Sequence, residues 1–322
     1  MSLISSNTKW VLFLSTSQVD PDSRHVLDLV YGLACLEKAG VQPSNICIYV
    51  DGKYRNNIKS LFQIGSSNTY QIKMTNEFFT EMGENSHENL VMFITGHGSE
   101  RGIDATPPIT PHRLLDSIKS APGLDKAVVY LGQCFAGIFN YVKASRNVKR
   151  RSRRERVLSY FKPSQNSPIR YTSPEIILIG ATELQESLSS STSETLPTTN
   201  VTISWVANLF LLHVFKWLSS PIDVDGDSLN TIIDSYKYAG VMANRSCKEI
   251  KASAFIQLMD AYDDFKIAQK KAATSTGDPL QDMTNKLVLK AMNDRYLQNS
   301  NLNNVHQECW VLNAIPAQIL EI

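Results

Sequence analysis

Five short apolar segments alternate with helical segments along residues 1–181, and this alternation limits the possible folds more than any other feature of the chain. The five segments are apolar throughout, which is typical of strands that are buried on both faces of a parallel sheet. The sequence therefore predicts an α/β fold of three layers, with a mostly parallel central sheet between two layers of helices. The predicted core strands are WVLFLS (10–15), ICIYVD (46–51), NLVMFITG (89–96), AVVYLG (127–132) and EIILIGA (175–181), with NTYQIK (68–73) as an edge strand.

Charge and cysteine content bound the possible classes of function. The 322 residues carry a formal net charge of +1, so no overall field favours nucleic acid or an acidic membrane. The five cysteines are scattered and odd in number, which argues against a disulfide framework or a zinc site. The N-terminal segment has no basic n-region of a signal peptide, and no apolar run approaches the roughly 18 residues that span a bilayer. We therefore expect a cytoplasmic protein without a membrane span, with delivery elsewhere by another route left open.

Composition divides the chain into a predicted sheet domain at 1–222 and a helical extension at 223–322. In the first domain, 143–173 and 185–200 are predicted to be loops, and 201–220 is an apolar helix candidate. The segment from 228 to about 299 is helical and polar, and its amphipathic stretches indicate that it packs on, or caps, another part of the protein.

A basic run lies in the first predicted loop, where residues 143–156 hold eight Lys or Arg against one Glu. An exposed run of this kind could grip an anionic polymer or be cut by a trypsin-like processing protease. It contains no interleaved aromatic residues that could stack on bases, so no specific recognition of nucleic acid is expected.

Two of the predicted core strands end in residues that can perform nucleophilic catalysis. NLVMFITGHGS leads to His97, and KAVVYLGQCFAG leads to Cys134. Taken alone, each residue is more typical of a buried structural position than of a catalytic one. Both lie, however, at the carboxyl edge of the predicted sheet, where ligands bind, and both are flanked by glycines that let a substrate approach closely. The pair therefore predicts one site, with the backbone N–H groups of Gly98 and Cys134 available for an oxyanion.

These segments resemble the caspase-fold cysteine peptidases, and within them the branch of legumain and of the GPI-transamidase catalytic subunit. MFITGHGS is similar to the histidine strand of that branch, and VVYLGQCFAGIF is similar to its cysteine strand. The likeness continues in the same order from SRHVLDLVYGLACLEKAG to IILIGATELQESLS and covers about residues 8–220. It implies a caspase-like fold and a thiol endopeptidase that acts through an acyl-enzyme.

The resemblance implies a role for four residues in the chemistry. Cys134 is the expected nucleophile and His97 the expected general acid and base, and the amides of Gly98 and Cys134 form the expected oxyanion hole. The family's orienting asparagine falls on Asp22, whose carboxylate could also accept a hydrogen bond from the imidazole.

The resemblance gives a less direct indication of which substrate side chain this protein prefers. Arg24 matches the arginine that lines the pocket for the side chain before the cut, with a surface cation at a helix start as the alternative. The family's acid two residues before the cysteine is replaced by Gly132, so a pocket built on Arg24 predicts a preference for Asp, with Asn next. Glu183 or Glu186, in the loop after the fifth strand, could instead supply the acidic wall of the pocket. The pocket would then accept substrates with basic or amide side chains.

Ser204 and Trp205, in TISWVANL, have two possible interpretations. The resemblance places them where caspase-fold enzymes pair the substrate backbone with a loop strand. The alternative is an N-cap and a core indole at the start of the following helix.

The segment DVDGDSLNTIID (223–234) is similar to a calcium-binding EF-hand loop. Asp223, Asp225 and Asp227 occupy its first three ligand positions, but the glycine at position six and the glutamate at position twelve are missing. We favour a tight acidic turn before a helix that starts near Ser228, with calcium as the minority interpretation, and predict no other cofactor.

The sequence thus predicts a cysteine endopeptidase with protein or peptide substrates. The same residues would serve a transamidase, in which an amine other than water resolves the thioester. Two non-enzymatic alternatives stay open: a binding module that keeps the fold without catalysis, and an unrelated α/β protein whose basic loop binds an anionic polymer.

Overall fold

A computed structural model describes residues 2–144, 172–304 and 307–322. Most of the predicted basic loop at 143–173, and with it most of the predicted processing site at 143–156, lies outside the described residues. Elements are numbered here along the described residues.

The described residues contain eleven strands and eight α-helices. The strands are β1 (Thr8–Leu14), β2 (Ile46–Val50), β3 (Ile72–Lys73), β4 (Asn89–Thr95), β5 (Gly98–Ser99), β6 (Gly102–Ile103), β7 (Lys126–Leu131), β8 (Glu175–Gly180), β9 (Ser189–Thr195), β10 (Thr202–Asn208) and β11 (Trp310–Leu312). The helices are α1 (Ser23–Lys38), α2 (Arg55–Gly65), α3 (Thr75–Met82), α4 (Pro111–Ser120), α5 (Leu209–Ser219), α6 (Ile232–Ala273), α7 (Pro279–Asn304) and α8 (Ala314–Ala317). Short 3₁₀ turns occupy Pro43–Asn45 and Ala136–Tyr141.

Seven strands form the central sheet in the order β11-β8-β7-β4-β1-β2-β3, and every neighbouring pair is parallel except β11 with β8. Alternate residues of β1 point to opposite faces: Trp10 and Leu12 join the core formed with α1, α2 and α5, whereas Val11 and Phe13 join the core formed with α3 and α4. The predicted α/β fold, with a mostly parallel sheet covered on both faces, is confirmed.

The segment after β8 differs from its prediction. Residues 189–195 and 202–208 were expected as a loop and as part of a helix, but they form the antiparallel hairpin β9–β10. In β10, buried Ile203, Trp205 and Ala207 alternate with exposed neighbours, which is the period of a strand. The helix begins only at Leu209, where the Asn208 side chain accepts a hydrogen bond from the Leu211 N–H.

The chain packs into two compact units, one of Met1–Val241 with Glu308–Ile322 and one of Met242–Gln307. The sequence-based boundary at 222 lies inside the first unit, which continues to Val241, and the last residues return to that unit as β11. The second unit is helical, and within it Arg295 Nη1 lies 2.7 Å from Asp264 Oδ2 while Phe265 stacks on Tyr296. A helical C-terminal region is thereby confirmed. Across the described ranges, no helix has the length and apolar content to cross a bilayer.

Strand β11, at the edge of the sheet, packs closely on β8 through the side chain of Trp310. The Trp310 indole is buried over Gly180, and its Nε1–H donates a hydrogen bond to the Thr182 carbonyl oxygen at 2.8 Å. A Cβ at position 180 would lie 2.3 Å from the indole, so no larger residue fits unless Trp310 moves.

We expect Gly180→Ala to lower the free energy of unfolding by about 1–3 kcal/mol, because the added methyl overpacks this contact. Gly240→Ala is the matched control: it lies in helix α6, its Cβ would meet nothing closer than 3.9 Å, and alanine favours the helix by up to about 1 kcal/mol. Urea denaturation of both variants measures the two effects. Equal stability of Gly180→Ala and wild type would contradict the packing of Trp310.

Candidate active site

The histidine and the cysteine follow neighbouring strands. Ile94 of β4 is paired with Leu131 of β7, and the Gly132 N–H donates a hydrogen bond to the Ile94 carbonyl oxygen at 2.8 Å. His97 and Cys134 each come three residues after that pair. The two loops touch, since a Cβ at Gly98 would lie only 2.2 Å from the Cys134 carbonyl oxygen. Parallel strands in register thus place His97, Gly98 and Cys134 in two adjoining loops at the same edge of the sheet.

Asp22 and His97 are joined directly. Asp22 precedes the first residue of α1, and its Oδ2 lies 3.1 Å from His97 Nε2. Burial would raise the pKa of Asp22, but the hydrogen bond to His97 and the nearby positive groups outweigh it and lower the pKa below its usual 3.8. The carboxylate therefore stays ionised and holds one nitrogen of the imidazole, which leaves Nδ1 for proton exchange.

The Cys134 thiol is half-buried under a loop from the neighbouring strand β8. The Ser187 N–H points at Cys134 Sγ over 3.3 Å, and the Phe135 N–H donates to the Gln185 carbonyl oxygen at 2.8 Å. The Gly137 N–H donates to the Glu183 carbonyl oxygen at 3.1 Å. Residues 183–187 are thereby hydrogen-bonded to Cys134 and to the residues that follow it.

Burial raises the pKa of the Cys134 thiol above its usual 9.0, and the Glu186 carboxylate raises it further. The Ser187 N–H and the Arg24 guanidinium act in the opposite direction without cancelling the rise. At neutral pH the sulfur is therefore protonated, so a base has to remove its proton before it can act as a nucleophile.

Arg24 lies beside Asp22 and Ser189. Its Nη1 donates a hydrogen bond to Ser189 Oγ at 3.2 Å, and its Nε is 3.5 Å from Asp22 Oδ2. Two-thirds of its side chain is buried between the start of α1 and the start of β9, so it is not a freely solvated surface cation. Of the two loop acids, Glu186 acts on the pKa of Cys134, whereas Glu183 contributes its backbone contact with Gly137.

Gly132 is buried rather than exposed to a pocket. A Cβ at this position would lie 2.5 Å from Leu211 Cδ1 and 3.0 Å from the Ile94 carbonyl oxygen. An acidic side chain cannot enter that space while Leu211 of α5 fills it. Packing against Leu211 therefore excludes a larger side chain at position 132.

Ser204 and Trp205 point to opposite faces of the hairpin. The indole of Trp205 is buried in the core, as the second interpretation predicts. That interpretation is wrong about the helix start, because Trp205 lies in strand β10 and Asn208, not Ser204, caps the following helix. Ser204 is exposed, with its Oγ 2.7 Å from Ser193 Oγ. Together with the rim of Trp205 it borders a shallow groove of about 400 Å³ on β9 and β10.

Two positioning residues were missed by the sequence analysis, Asp28 and Asn208. Asp28 is 3% exposed, and its carboxylate accepts hydrogen bonds from Thr95 Oγ1, Trp205 Nε1 and the Asn208 N–H at 2.9, 2.8 and 3.1 Å. Asn208 Nδ2 in turn donates to the Gly132 carbonyl oxygen at 2.6 Å and to Ser187 Oγ at 3.1 Å. Asp28 could have been found as an acidic residue inside the apolar run HVLDLVYGLACL. Asn208 could have been found as a typical N-cap residue before the apolar run LFLLHVF.

The acidic segment 223–227 forms a turn whose carboxylates bind its own backbone. Asp223 accepts hydrogen bonds from the Gly226 N–H at 2.6 Å and the Ser228 N–H at 2.8 Å. Asp225 pairs with Lys237, and Asp227 accepts a hydrogen bond from the Leu229 N–H. These contacts support the tight acidic turn, and calcium binding stays a prediction. Helix α6 begins at Ile232, later than the predicted start near Ser228, because the turn continues through Ser228 at a left-handed φ of 71°.

The chain matches none of the models of known protein families and none of the curated proteins with which it was compared. The resemblance to caspase-fold peptidases therefore depends on the residues of this chain alone.

We expect Glu186→Gln to increase the rate of Cys134 alkylation by iodoacetamide at about pH 8 by two- to threefold. Removing this carboxylate lowers the pKa of the thiol, and a through-solvent charge interaction has about that size. Glu183→Gln is the matched control and leaves the rate unchanged. Peptide mapping by mass spectrometry follows Cys134 separately from the other cysteines. An equal rate in wild type and Glu186→Gln would contradict the electrostatic environment assigned to Cys134.

Proposed function

We propose that the chain is a cysteine endopeptidase with a caspase-like fold, in which Cys134 is the nucleophile and His97 the general acid and base. The observation that carries the proposal is the contact between the loops after β4 and β7, in which Gly98 packs on the Cys134 carbonyl. This contact brings a thiol, an imidazole and two backbone amides to the carboxyl edge of one parallel sheet, where the binding sites of such sheets lie.

The bonding pattern of His97 supports its role. Nε2 is held by the Asp22 carboxylate, so Nδ1 is the nitrogen that takes the thiol proton. Sulfur then attacks the peptide carbonyl, and the Gly98 and Cys134 amides stabilise the oxyanion. When the carbon–nitrogen bond breaks, His97 gives the proton to the leaving amine and the acyl group remains on Cys134 as a thioester. Water resolves the thioester, releasing the acid and returning the proton to the sulfur.

Substrate preference follows from the charges around the cysteine. The Arg24 guanidinium is held by Asp22 and Ser189 and lies near enough to Cys134 to affect its pKa. Position 132 offers no acid to oppose it, because Leu211 occupies that space, whereas the Glu186 carboxylate does oppose it at the thiol. We therefore infer a preference for Asp before the cut, with Asn next. The groove beside Ser204 offers polar side chains to an extended peptide.

The test is mass spectrometry of a peptide library incubated with wild type, Cys134→Ala and the control Cys47→Ala. Wild type and Cys47→Ala should cleave mainly after Asp, and Cys134→Ala should lose at least about 1,000-fold in rate, as removal of a catalytic nucleophile does. Adding glycinamide separates hydrolysis from transamidation, since transfer would leave the amide on the new C-terminus. Cleavage by Cys134→Ala at the wild-type rate would overturn the proposal, as would no cleavage by any protein.

A further inference from the structure

Three metal-ligating side chains converge beside the cysteine. One ligand atom each from Asp22, His25 and His97 lies within 4.8 Å of the other two. His97 Nε2 and Asp22 Oδ2 are already 3.1 Å apart. Ligand atoms of a tetrahedral zinc ion lie about 3.4 Å from one another, because each is about 2.0–2.2 Å from the metal. Two of the three atoms therefore have nearly the required spacing.

His25 provides an independent indication of a ligand. Its side chain is 95% buried, with Nδ1 3.3 Å from Thr95 Oγ1 and 3.6 Å from Asp28 Oδ2. Its Nε2 is buried too, and within the described ranges no hydrogen-bond partner reaches it. The ring lies 5.1 Å from the His97 ring in an edge-to-face arrangement, so the unpartnered nitrogen belongs to a ring that contacts the cluster. A buried polar atom without a partner is costly, and a metal ion would satisfy it.

The surroundings of His25 also match those of a metal-bound histidine. Zinc-binding imidazoles usually direct their second nitrogen at a carboxylate, which fixes the tautomer and makes the first nitrogen a better donor. Asp28 stands in that position, and it is itself held by Trp205 and the Asn208 N–H. The ligand geometry would thus be supported by the same buried network that orders the site.

We propose that Asp22, His25 and His97 bind one zinc ion, with the fourth position open to water. Two imidazoles and a carboxylate suit zinc rather than calcium or magnesium, which prefer oxygen ligands throughout. Zinc also binds such a set more tightly than iron(II) or manganese(II) does. Bound at Nε2, the metal would stop His97 from accepting the thiol proton. Zinc would then inhibit the enzyme reversibly, a consequence that rests on the proposed peptidase function, whereas binding itself does not.

Arg24 sets the strength of this site. Its Nε is 3.5 Å from Asp22 Oδ2, so its positive charge competes with the metal for the same carboxylate. Removing the guanidinium should therefore tighten zinc binding, an effect that a general loosening of the fold would not produce.

The experiment is titration of the full chain with Zn²⁺ by calorimetry and with Co²⁺ by visible absorption. Wild type should bind one ion. His25→Asn, whose amide can keep the hydrogen bond to Thr95 Oγ1, should weaken binding by at least about 100-fold, the upper end of the loss seen for partners beyond the ligand shell. Asp22→Asn, which keeps a good N-cap residue, should also weaken it. His112→Asn, at an exposed position outside the cluster, should bind like wild type, and Arg24→Ala should bind more tightly.

The outcomes separate this proposal from the peptidase function. Wild-type zinc affinity in folded His25→Asn and Asp22→Asn would overturn the site, as would binding that Cys134→Ala abolishes and His25→Asn retains. Absence of zinc binding by wild type would overturn it as well. If wild type binds one ion through these residues but cleaves no peptide, the site stands and the peptidase proposal fails. If peptides are cleaved, zinc should inhibit wild type and a chelator should restore the rate.

Discussion

The hydrogen bonds of the buried Asp28 carboxylate hold together the elements that form the candidate site. It receives hydrogen bonds from the end of β4, from β10 and from the residue that caps α5, so one side chain of α1 joins three other elements. A carboxyl group in this buried position is tolerated because its oxygens accept three hydrogen bonds, and removing any partner would leave a costly buried group. The helix, the sheet and the hairpin are therefore fixed relative to one another at the edge where His97 and Cys134 lie.

Asn208 connects Asp28 to the cysteine loop through hydrogen bonds. Its N–H is bound by Asp28, its side-chain oxygen caps α5, and its side-chain nitrogen binds the Gly132 carbonyl and Ser187 Oγ. Gly132 leads into Cys134, and the N–H of Ser187 contacts the sulfur. The position of the thiol is thus set from both sides by one residue. Asp28 also lies 3.6 Å from Nδ1 of His25, whose Nε2 is buried without a hydrogen-bond partner among the described residues, so the same carboxylate supports the proposed catalytic site and the proposed zinc site.

The sequence was sufficient for those features that depend on local pattern. Strands buried on both faces are apolar throughout, so the five core strands and the sheet edge carrying His97 and Cys134 could be predicted. The serine-rich strand β9 could not, because its pairing with β10 supplies the order that its own residues do not indicate. The contact of Asp22 with His97 spans 75 residues and was expected only from the family resemblance, whereas the packing of Leu211 on position 132 was not expected. Such contacts depend on tertiary packing. Asp28 stood out only as a charge in an apolar helix, and nothing local indicated what it binds.

We propose that this packing presents Cys134 as a nucleophile that becomes acylated. Acid-quenched mass spectrometry of the protein incubated with an Asp-containing peptide ester detects that acylation. We expect an added mass equal to the acyl group, located on the peptide that contains Cys134 and removed when the ester is exhausted. Turnover of the ester with no adduct on Cys134, together with loss of turnover on addition of a chelator, would contradict the account and place the chemistry at the Asp22, His25 and His97 cluster instead.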